Sequence, residues 1–205
     1  SQGLVAYYPL NNSAEDASGN SNNGTMVSVS ETADRAGIEG SAILFDSSSY
    51  ITTKFTPLQT LRNEFTISVW LKLAESCERC RIVTKNTEYD EVAGQDRGAP
   101  EYQLYIEGQV PTVHLNWEQP GDEYASSVAV ETNVWTHLLV RVRPNSVEFF
   151  LNGELVTSFN EEIKIPPVLD REPFVIGSGG STGGSLPVYS FQGALDDLLI
   201  YNRAL

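Results

Sequence analysis

The alternation of apolar and polar residues is clearest in residues 135–156, WTHLLVRVRPNSVEFFLNGELV. Every second residue from Leu138 to Val142 is apolar, and this period of two predicts a strand with two unlike faces. The PNS segment that follows predicts a turn. Asn152 and Gly153 predict a tight hairpin, because both central residues of a type I′ turn need positive φ. Two successive hairpins form a meander, and its apolar face needs a second layer to cover it.

Short apolar or alternating segments predict strands along the rest of the chain. These segments are residues 4–10, 41–45, 49–52, 65–73, 81–85, 101–106, 112–117, 173–177 and 191–201. No segment shows a helical period over more than a turn or two. Many short strands separated by turn signals predict an all-β fold, a sandwich of two antiparallel sheets. We expect residues 1–205 to form it as a single domain.

The charge balance excludes several classes of partner. The chain has 27 acidic and 13 basic residues, a formal net charge of -14. This acidity argues against nucleic acid as a partner, because phosphate neutralisation dominates that binding, and against anionic lipid. The excess of acidic residues is explained either by solubility or by divalent-cation binding. No long apolar run predicts membrane insertion. The chain starts at Ser1 without a visible signal peptide, so we expect a mature segment of an exported protein.

Cys77 and Cys80 form an isolated C-x-x-C pair. A zinc site would need a second pair of ligands at suitable spacing, and none follows. A thioredoxin-like motif would open a helix in a βαβ unit, which this pattern does not offer. We therefore favour a local disulfide over free thiols, with Glu78 and Arg79 at the tip of a loop that joins two strands.

Several motifs resemble those of bacterial LamG-like domains in the same order. They are GLVAYYPLNNSAEDASGNSNNG, FTISVWLK, WTHLLV, VEFFLNGELV, PFVIGS and FQGALDDLLIYNRAL. Such domains are laminin-G/pentraxin-like members of the concanavalin A-like lectin/glucanase fold. The resemblance implies a curved jelly-roll sandwich, usually one module of a larger exported protein. We therefore expect an extracellular or cell-surface location with neighbouring domains. Members of the family serve as carbohydrate-binding modules, adhesin modules or spacers.

The first loop, residues 11–24, is rich in side-chain oxygens and in glycines that allow sharp turns. The resemblance implies that this loop packs against the last strand and holds a structural Ca²⁺ ion. Neighbouring side chains on a strand point to opposite faces, so only one of Asp196 and Asp197 can join a given site. The resemblance implies that this ligand is Asp196, the aspartate just after the G-A-L segment. The expected ligands are Asp16, Asn20, Asn23, Gly24 and Asp196. The alternative is an Asn- and Gly-rich turn beside a solvated acidic pair.

Two polar and aromatic loops, residues 86–100 and 117–124, form the predicted ligand surface. Aromatic faces bind the C–H side of a sugar ring, and planar polar groups bind its hydroxyls. The candidate ligand-binding residues are Tyr89, Asp90, Arg97, Trp117, Asp122 and Tyr124. Trp117 or Tyr124 is the expected stacking platform, although each aromatic could instead fill the sandwich or its rim. The acidic side chains disfavour polyanions, so the expected partner is a neutral glycan.

The sequence offers little for catalysis. Glycoside hydrolases of this fold carry an E-x-D-x-E run that supplies the acid and the nucleophile, and no such run occurs here. The two histidines, His114 and His137, are expected to be structural. We therefore expect a non-catalytic carbohydrate-binding or adhesive module. The alternatives are a structural or protein-binding spacer module of a cell-surface protein and, less favoured, a divergent glycan-active enzyme.

Overall fold

The computed structural model describes residues 2–53, 61, 64–85, 102–115, 122–163, 174–179 and 189–205. These residues form fifteen strands and no helix. In chain order the strands are β1 Leu4–Tyr8, β2 Gly24–Val27, β3 Ser30–Thr32, β4 Ala42–Phe45, β5 Tyr50–Thr53, β6 Phe65–Leu73, β7 Cys77–Lys85, β8 Tyr102–Gly108, β9 Val110–Leu115, β10 Glu123–Ala125, β11 Thr136–Arg143, β12 Ser146–Leu151, β13 Glu154–Phe159, β14 Phe174–Ile176 and β15 Gly193–Tyr201. Among the described residues, none belongs to a helix long and apolar enough to cross a membrane.

The strands form two sheets. The eight-stranded sheet has the order β13-β12-β11-β6-β15-β4-β3, and β1 also pairs with β15. The seven-stranded sheet has the order β10-β9-β8-β7-β14-β5-β2. Neighbouring strands pair antiparallel throughout, and their apolar faces enclose one continuous core cluster. The prediction of an all-β jelly-roll sandwich is therefore confirmed.

The strand with the clearest alternation provides the centre of the core. On β6, the five alternate residues from Phe65 to Leu73 are fully buried. The predicted meander is confirmed, because β11, β12 and β13 lie side by side in chain order. At its second turn, φ is +50° at Asn152 and +86° at Gly153, as a type I′ turn requires. The apolar pattern of these segments thus determines which face of the eight-stranded sheet is covered.

Two features of the strands differ from the expectation. Strands β2 and β3 were not predicted, because both lie at sheet edges and expose most of their side chains, which removes the apolar alternation. The segment from Cys77 to Cys80 is not a loop tip, because it forms the start of β7. Cys77 pairs with Gly108 and Cys80 with Ile106, with a register irregularity between them. The extension of β8 to Gly108 supplies the partner that the sequence did not reveal.

A β-bulge interrupts β15 where its neighbour changes. Residues 193–195 pair with β4, residues 198–201 pair with β1, and β6 pairs along the other edge. The register with β6 shifts between Asp196 and Leu199, and Asp197 has a φ of +47°. At the start of the strand Gly193 is required, because a Cβ there would lie 2.2 Å from the Lys72 carbonyl oxygen. The bulge places Asp196 and Asp197 at this junction.

Candidate functional site

The outward face of the seven-stranded sheet is polar. On β8, Leu104 and Ile106 belong to the core cluster, so the alternate residues Gln103 and Tyr105 point to the other face. We call this surface the polar face. Strand register places on it Arg81, Thr84, Gln103, Tyr105, Thr112, His114 and Glu123. Such a surface differs from an ordinary solvated face, because Thr84, Gln103 and Tyr105 are each at most 1% exposed.

Several buried polar atoms here have no hydrogen-bond partner among the described residues. On the polar face these atoms are Arg81 Nε, Thr84 Oγ1, Gln103 Nε2 and Tyr105 Oη. A fifth such atom, Asp122 Oδ2, belongs to the residue just before the edge strand β10. Buried polar atoms in folded proteins are normally satisfied. Burial raises the pKa of Tyr105, as does the nearby Glu123 carboxylate, although the hydroxyl makes no well-aligned hydrogen bond. At neutral pH this phenol remains a donor.

An open cleft of about 240 Å³ lies at the start of β7, next to the polar face. Its lining residues are Ser47, Cys77, Glu78, Arg79, Cys80, Tyr189, Ser190 and Gln192. Tyr189 is 51% exposed and has a φ of +51°, which is rare for a bulky residue. Strain of this kind persists where the surrounding structure imposes it, and it is common at binding sites. The cleft therefore presents an aromatic ring beside hydroxyl, amide and charged groups.

Two arginine–tyrosine contacts connect the cleft to the polar face. The guanidinium of Arg79 lies 5.2 Å from the ring centroid of Tyr105, and that of Arg81 lies 5.1 Å from the ring centroid of Tyr189. The backbone N–H of Arg81 also donates to the Tyr189 carbonyl oxygen at 2.9 Å. Cation–π contacts of this kind hold both guanidinium groups in place. The cleft thus lies beside the polar face, and two cation–π contacts connect them.

The disulfide belongs to the wall of this cleft. Cys77 and Cys80 are joined, with their Cα atoms 5.9 Å apart. The bond closes the irregular start of β7 and carries Glu78 and Arg79 between its two ends. It therefore restricts the backbone that presents Arg79 to the cleft.

The predicted ligand-binding residues have different outcomes. Tyr89, Asp90, Arg97 and Trp117 lie outside the described residues. Asp122 lies just before β10 and is partly exposed, and its Oδ2 atom has no partner in the described part of the chain.

The prediction that Tyr124 is a stacking platform is wrong, because its side chain is buried in the core. It is 4% exposed, belongs to the core cluster and packs edge-on against Phe159 at 5.2 Å between ring centroids. The short strand β10 turns this side chain inward, whereas its neighbours Glu123 and Ala125 are exposed.

Sequence reasoning missed Tyr189 and Arg79. Tyr189 follows a segment of Gly and Ser residues that predicts only a loop, and nothing in that segment shows which strand it meets. The one feature of the sequence that could have indicated Tyr189 is its position as an isolated aromatic residue in a polar segment. The isolated parallel bridge between Arg81 and Ser190 places this residue against β7.

The first loop is closed by hydrogen bonds within the protein. Asp16 Oδ1 accepts from the backbone N–H groups of Tyr7 and Ser18, and Oδ2 accepts from that of Asn22, each at 2.9 Å. Burial acts to raise the pKa of Asp16, but these hydrogen bonds outweigh it and lower the pKa. The Asn20 side chain donates to the carbonyl oxygens of residues 4 and 5. Asn23 Oδ1 accepts from the Asp16 N–H.

The acidic pair on β15 binds an arginine. Arg35 Nη1 lies 2.5 Å from Asp196 Oδ2, and Nη2 lies 2.9 Å from Asp197 Oδ2. The expectation that the two carboxylates point to opposite faces is therefore wrong, because the bulge turns both toward Arg35. Burial and then Asp197 raise the pKa of Asp196 to about 6, while Arg35 opposes that shift. The Tyr7 hydroxyl donates to Asp197 Oδ1 at 2.6 Å.

These contacts engage several of the residues that the sequence predicts as calcium ligands. Calcium needs several oxygen ligands that converge on one point. The described part of the chain contains no group of three or more His, Cys, Asp or Glu side chains arranged for a metal ion. Asp16 accepts three N–H groups, and Asp196 already has a cationic partner in Arg35. Calcium binding by Asp16, Asn20, Asn23, Gly24 and Asp196 stays a prediction from the sequence.

His137 is engaged in packing, as expected. Its Nε2 atom lies 2.8 Å from the Ser68 hydroxyl oxygen, and its ring packs on Trp70 with 5.2 Å between centroids. The Arg35 guanidinium lies 4.9 Å from the ring centroid of Trp70. Burial lowers the pKa of His137, and Arg35 lowers it further. This histidine is therefore neutral at physiological pH and stabilises the outer side of the eight-stranded sheet.

Comparison with known proteins identifies the family of this chain. Residues 45–205 match the laminin G family model described as the concanavalin A-like lectin/glucanases superfamily. Comparison with curated protein sequences gave no significant match.

Among solved structures, the chain is similar to domain 4 of AbnA, an extracellular arabinanase from Geobacillus stearothermophilus, solved with arabinotriose. The TM-score is 0.68 at 19% identity, over 98% of this chain and 93% of that chain.

Two toxin binding domains have a similar fold. The binding domain of Paraclostridial Mosquitocidal Protein 1 gives a TM-score of 0.71 at 16% identity, over 99% of this chain and 49% of that chain. The binding domain of Botulinum Neurotoxin DC, solved with SialylT, gives 0.64 at 13% identity, over 99% and 48%. This chain thus spans about half the length of each toxin binding domain. At such low identity the similarity establishes the fold.

Proposed function

Because the chain belongs to the concanavalin A-like lectin/glucanase superfamily, we propose that it is a non-catalytic module that binds carbohydrate. A fold alone does not determine a function, since one fold hosts many. The proposal therefore depends on a site in this chain, the cleft at the start of β7 and the polar face beside it. The carbohydrate ligands of the arabinanase domain and of the neurotoxin domain are consistent with it.

The exposed ring of Tyr189 carries the proposal. Sugars bind through an aromatic platform for the ring C–H groups and through nearby polar groups for the hydroxyls. Tyr189 is half exposed at a cleft whose other walls offer Ser47, Ser190 and Gln192 as hydrogen-bonding partners. Its strained backbone keeps the ring at this position at the expense of stability. That combination is typical of a binding residue.

Binding to an array of neutral and acidic oligosaccharides tests the function. We expect retention of at least one glycan class, and a Tyr189→Ala variant should weaken its affinity by about tenfold or more. Truncation of an anchor residue typically removes about 2 kcal/mol of binding free energy. Tyr189→Phe should retain affinity, because the ring face remains. Leu155→Ala is the matched control, since Leu155 is equally exposed, at 53%, on the eight-stranded sheet.

Two other results would change the conclusion. If no glycan binds, the spacer alternative replaces the carbohydrate-binding function. If a glycan binds equally well to Tyr189→Ala, the function stands but the site lies elsewhere, with the predicted residues Tyr89, Asp90, Arg97 and Trp117 as the next to substitute. We further propose an extracellular module of a larger polypeptide, which proteomic detection of the parent protein in the secreted or surface fraction would test.

A further inference from the structure

Arg81 has no anionic partner among the described residues. Its Nε atom is buried without a hydrogen-bond partner, and the packing around its guanidinium is the ring of Tyr189 and the backbone of Gly179. A buried charge is unfavourable unless it is paired. By contrast, Arg35 pairs with two carboxylates, and Arg143 pairs with Glu148 at 2.5 Å. Arg81 is therefore a half-buried cation whose counter-ion the described residues do not supply.

A second arginine, Arg79, lies two residues before Arg81 on β7, and Arg81 itself reaches the cleft only through its contact with Tyr189. Arg79 lines the cleft, and its nearest carboxylate is Glu107, with an N···O distance of 3.9 Å. This distance is too long for a hydrogen bond, and such an exposed pair contributes little. Burial and the charge of Arg79 lower the pKa of Arg81 to about 10, so Arg81 is cationic at pH 7. Two guanidinium groups thus lie close to a cleft that Glu78 also lines, in a chain with a net charge of -14.

We infer that the cleft recognises the carboxylate of an acidic sugar through Arg79 and Arg81. This inference rests on the proposed carbohydrate-binding function and specifies its ligand class. Guanidinium groups match the planar geometry of a carboxylate and can donate two parallel hydrogen bonds to it. Tyr189 would contact the sugar ring while an arginine binds its acid group. The overall charge favours a neutral glycan, but recognition depends on the local charge at the cleft.

Gly179 allows the guanidinium of Arg81 to occupy its position. A Cβ at residue 179 would lie 1.7 Å from Arg81 Nη1 and 2.5 Å from Cδ. The φ of Gly179 lies outside the left-handed region, and the three atoms nearest to that Cβ all belong to the Arg81 side chain. Gly179→Ala should therefore displace the guanidinium without removing the charge and without unfolding the domain.

The test compares each acidic oligosaccharide on the array with the same oligosaccharide after methyl esterification of its carboxylates. We expect the acid form to bind at least about tenfold more tightly, because a charge-assisted hydrogen bond is typically about twice as strong as a neutral one. Raising the salt concentration should weaken binding of the acid form only. Arg79→Gln, Arg81→Gln and Gly179→Ala should each reduce the preference for the acid. Arg143→Gln on the eight-stranded sheet is the matched control and should leave it unchanged.

Arg81→Gln also separates a ligand-binding role from a structural one. Removal of a half-buried charge without an anionic partner should leave the melting temperature unchanged or raise it, whereas loss of a structural residue would lower it. Equal binding of acid and ester that still depends on Tyr189 would overturn the inference and leave the proposed function intact. A preference for sulfated over carboxylated glycans would overturn the carboxylate assignment. If no glycan of any kind binds, the function and the inference both fail.

Discussion

At the scale of single residues, Arg35 is the cation that pairs with the two aspartates at the bulge on β15. It binds both Asp196 and Asp197 and lies over the ring of Trp70. Asp196 is 3% exposed, so its ionised form depends on this partner. The pKa of Asp196 is nevertheless about 6, well above its ordinary value, which means that the folded state binds a proton there more tightly than the unfolded state does. Stability from this residue is therefore greatest at low pH and declines as pH rises toward about 6.

Arg35→Ala should raise the pKa of Asp196 further, because it removes the cation that lowers it. The pH range over which stability declines should then extend above pH 6, so the variant loses more stability at pH 8 than at pH 5. We expect a loss of about 2 kcal/mol at pH 8, the scale of a hydrogen bond to a charged group. Denaturant unfolding at both pH values measures it. Adding Asp196→Asn to the variant should remove the extra loss, and a pH-independent loss would contradict this account.

At the scale of elements, the start of β7 connects the disulfide to the cleft. The bond between Cys77 and Cys80 lies across the register irregularity, and Arg79 between them reaches Tyr105. A disulfide that closes so small a loop removes little entropy from the unfolded chain. Its contribution is therefore to fix the position of a side chain in the cleft more than to stabilise the fold.

We expect thiol titration of the denatured, unreduced protein to find no free thiol, and two after reduction. Reduction should lower the free energy of unfolding by less than the ~3 kcal/mol typical of a 15-residue loop. It should weaken glycan binding more clearly, because the backbone that presents Arg79 becomes free to move. The double variant Cys77→Ser, Cys80→Ser should behave like the reduced protein. Two free thiols before reduction would show that the pair is not oxidised.

At the scale of the whole molecule, the first loop and the acidic pair on the last strand are the regions where the sequence predicts a stabilising cation. The first loop is held to β1 by Asp16, Asn20 and Asn22, which hydrogen bond to the backbone. The acidic pair on the last strand is bound by Arg35, whose single positive charge offsets one of the two carboxylates. Protein groups thus contact Asp16, Asn20 and Asp196, three of the residues predicted to bind Ca²⁺.

Chelation of calcium with EGTA should therefore leave the melting temperature of the purified domain unchanged. A structural ion would behave differently, because a ligand at a hundredfold excess over its dissociation constant stabilises the folded state by about 2.7 kcal/mol. Elemental analysis of the purified domain provides an independent measurement. If EGTA lowers the melting temperature and Asp196→Ala abolishes that response, the predicted ion site is real. Asp46→Ala, on the exposed turn before β5, is the matched control.

The sequence by itself determined the fold class and most of the strands. Strand β6 was predicted with its observed bounds, and the meander from β11 to β13 was predicted in its observed order. The physical reason is that a two-residue apolar period and an Asn-Gly turn are local properties, which short segments specify without their neighbours. Edge strands such as β2 were missed, because exposed side chains leave no such period.

Only the tertiary structure decided the site. The cleft combines Ser47, Arg79 and Tyr189, which lie far apart in the sequence. Tyr124 was assigned to the surface and lies in the core, because the inward or outward direction of a three-residue strand depends on its partner β9. Asp196 and Asp197 were expected to diverge, yet a bulge turned both toward Arg35. Register, bulges and long-range pairing are set by contacts between distant segments, and a local pattern carries no information about them.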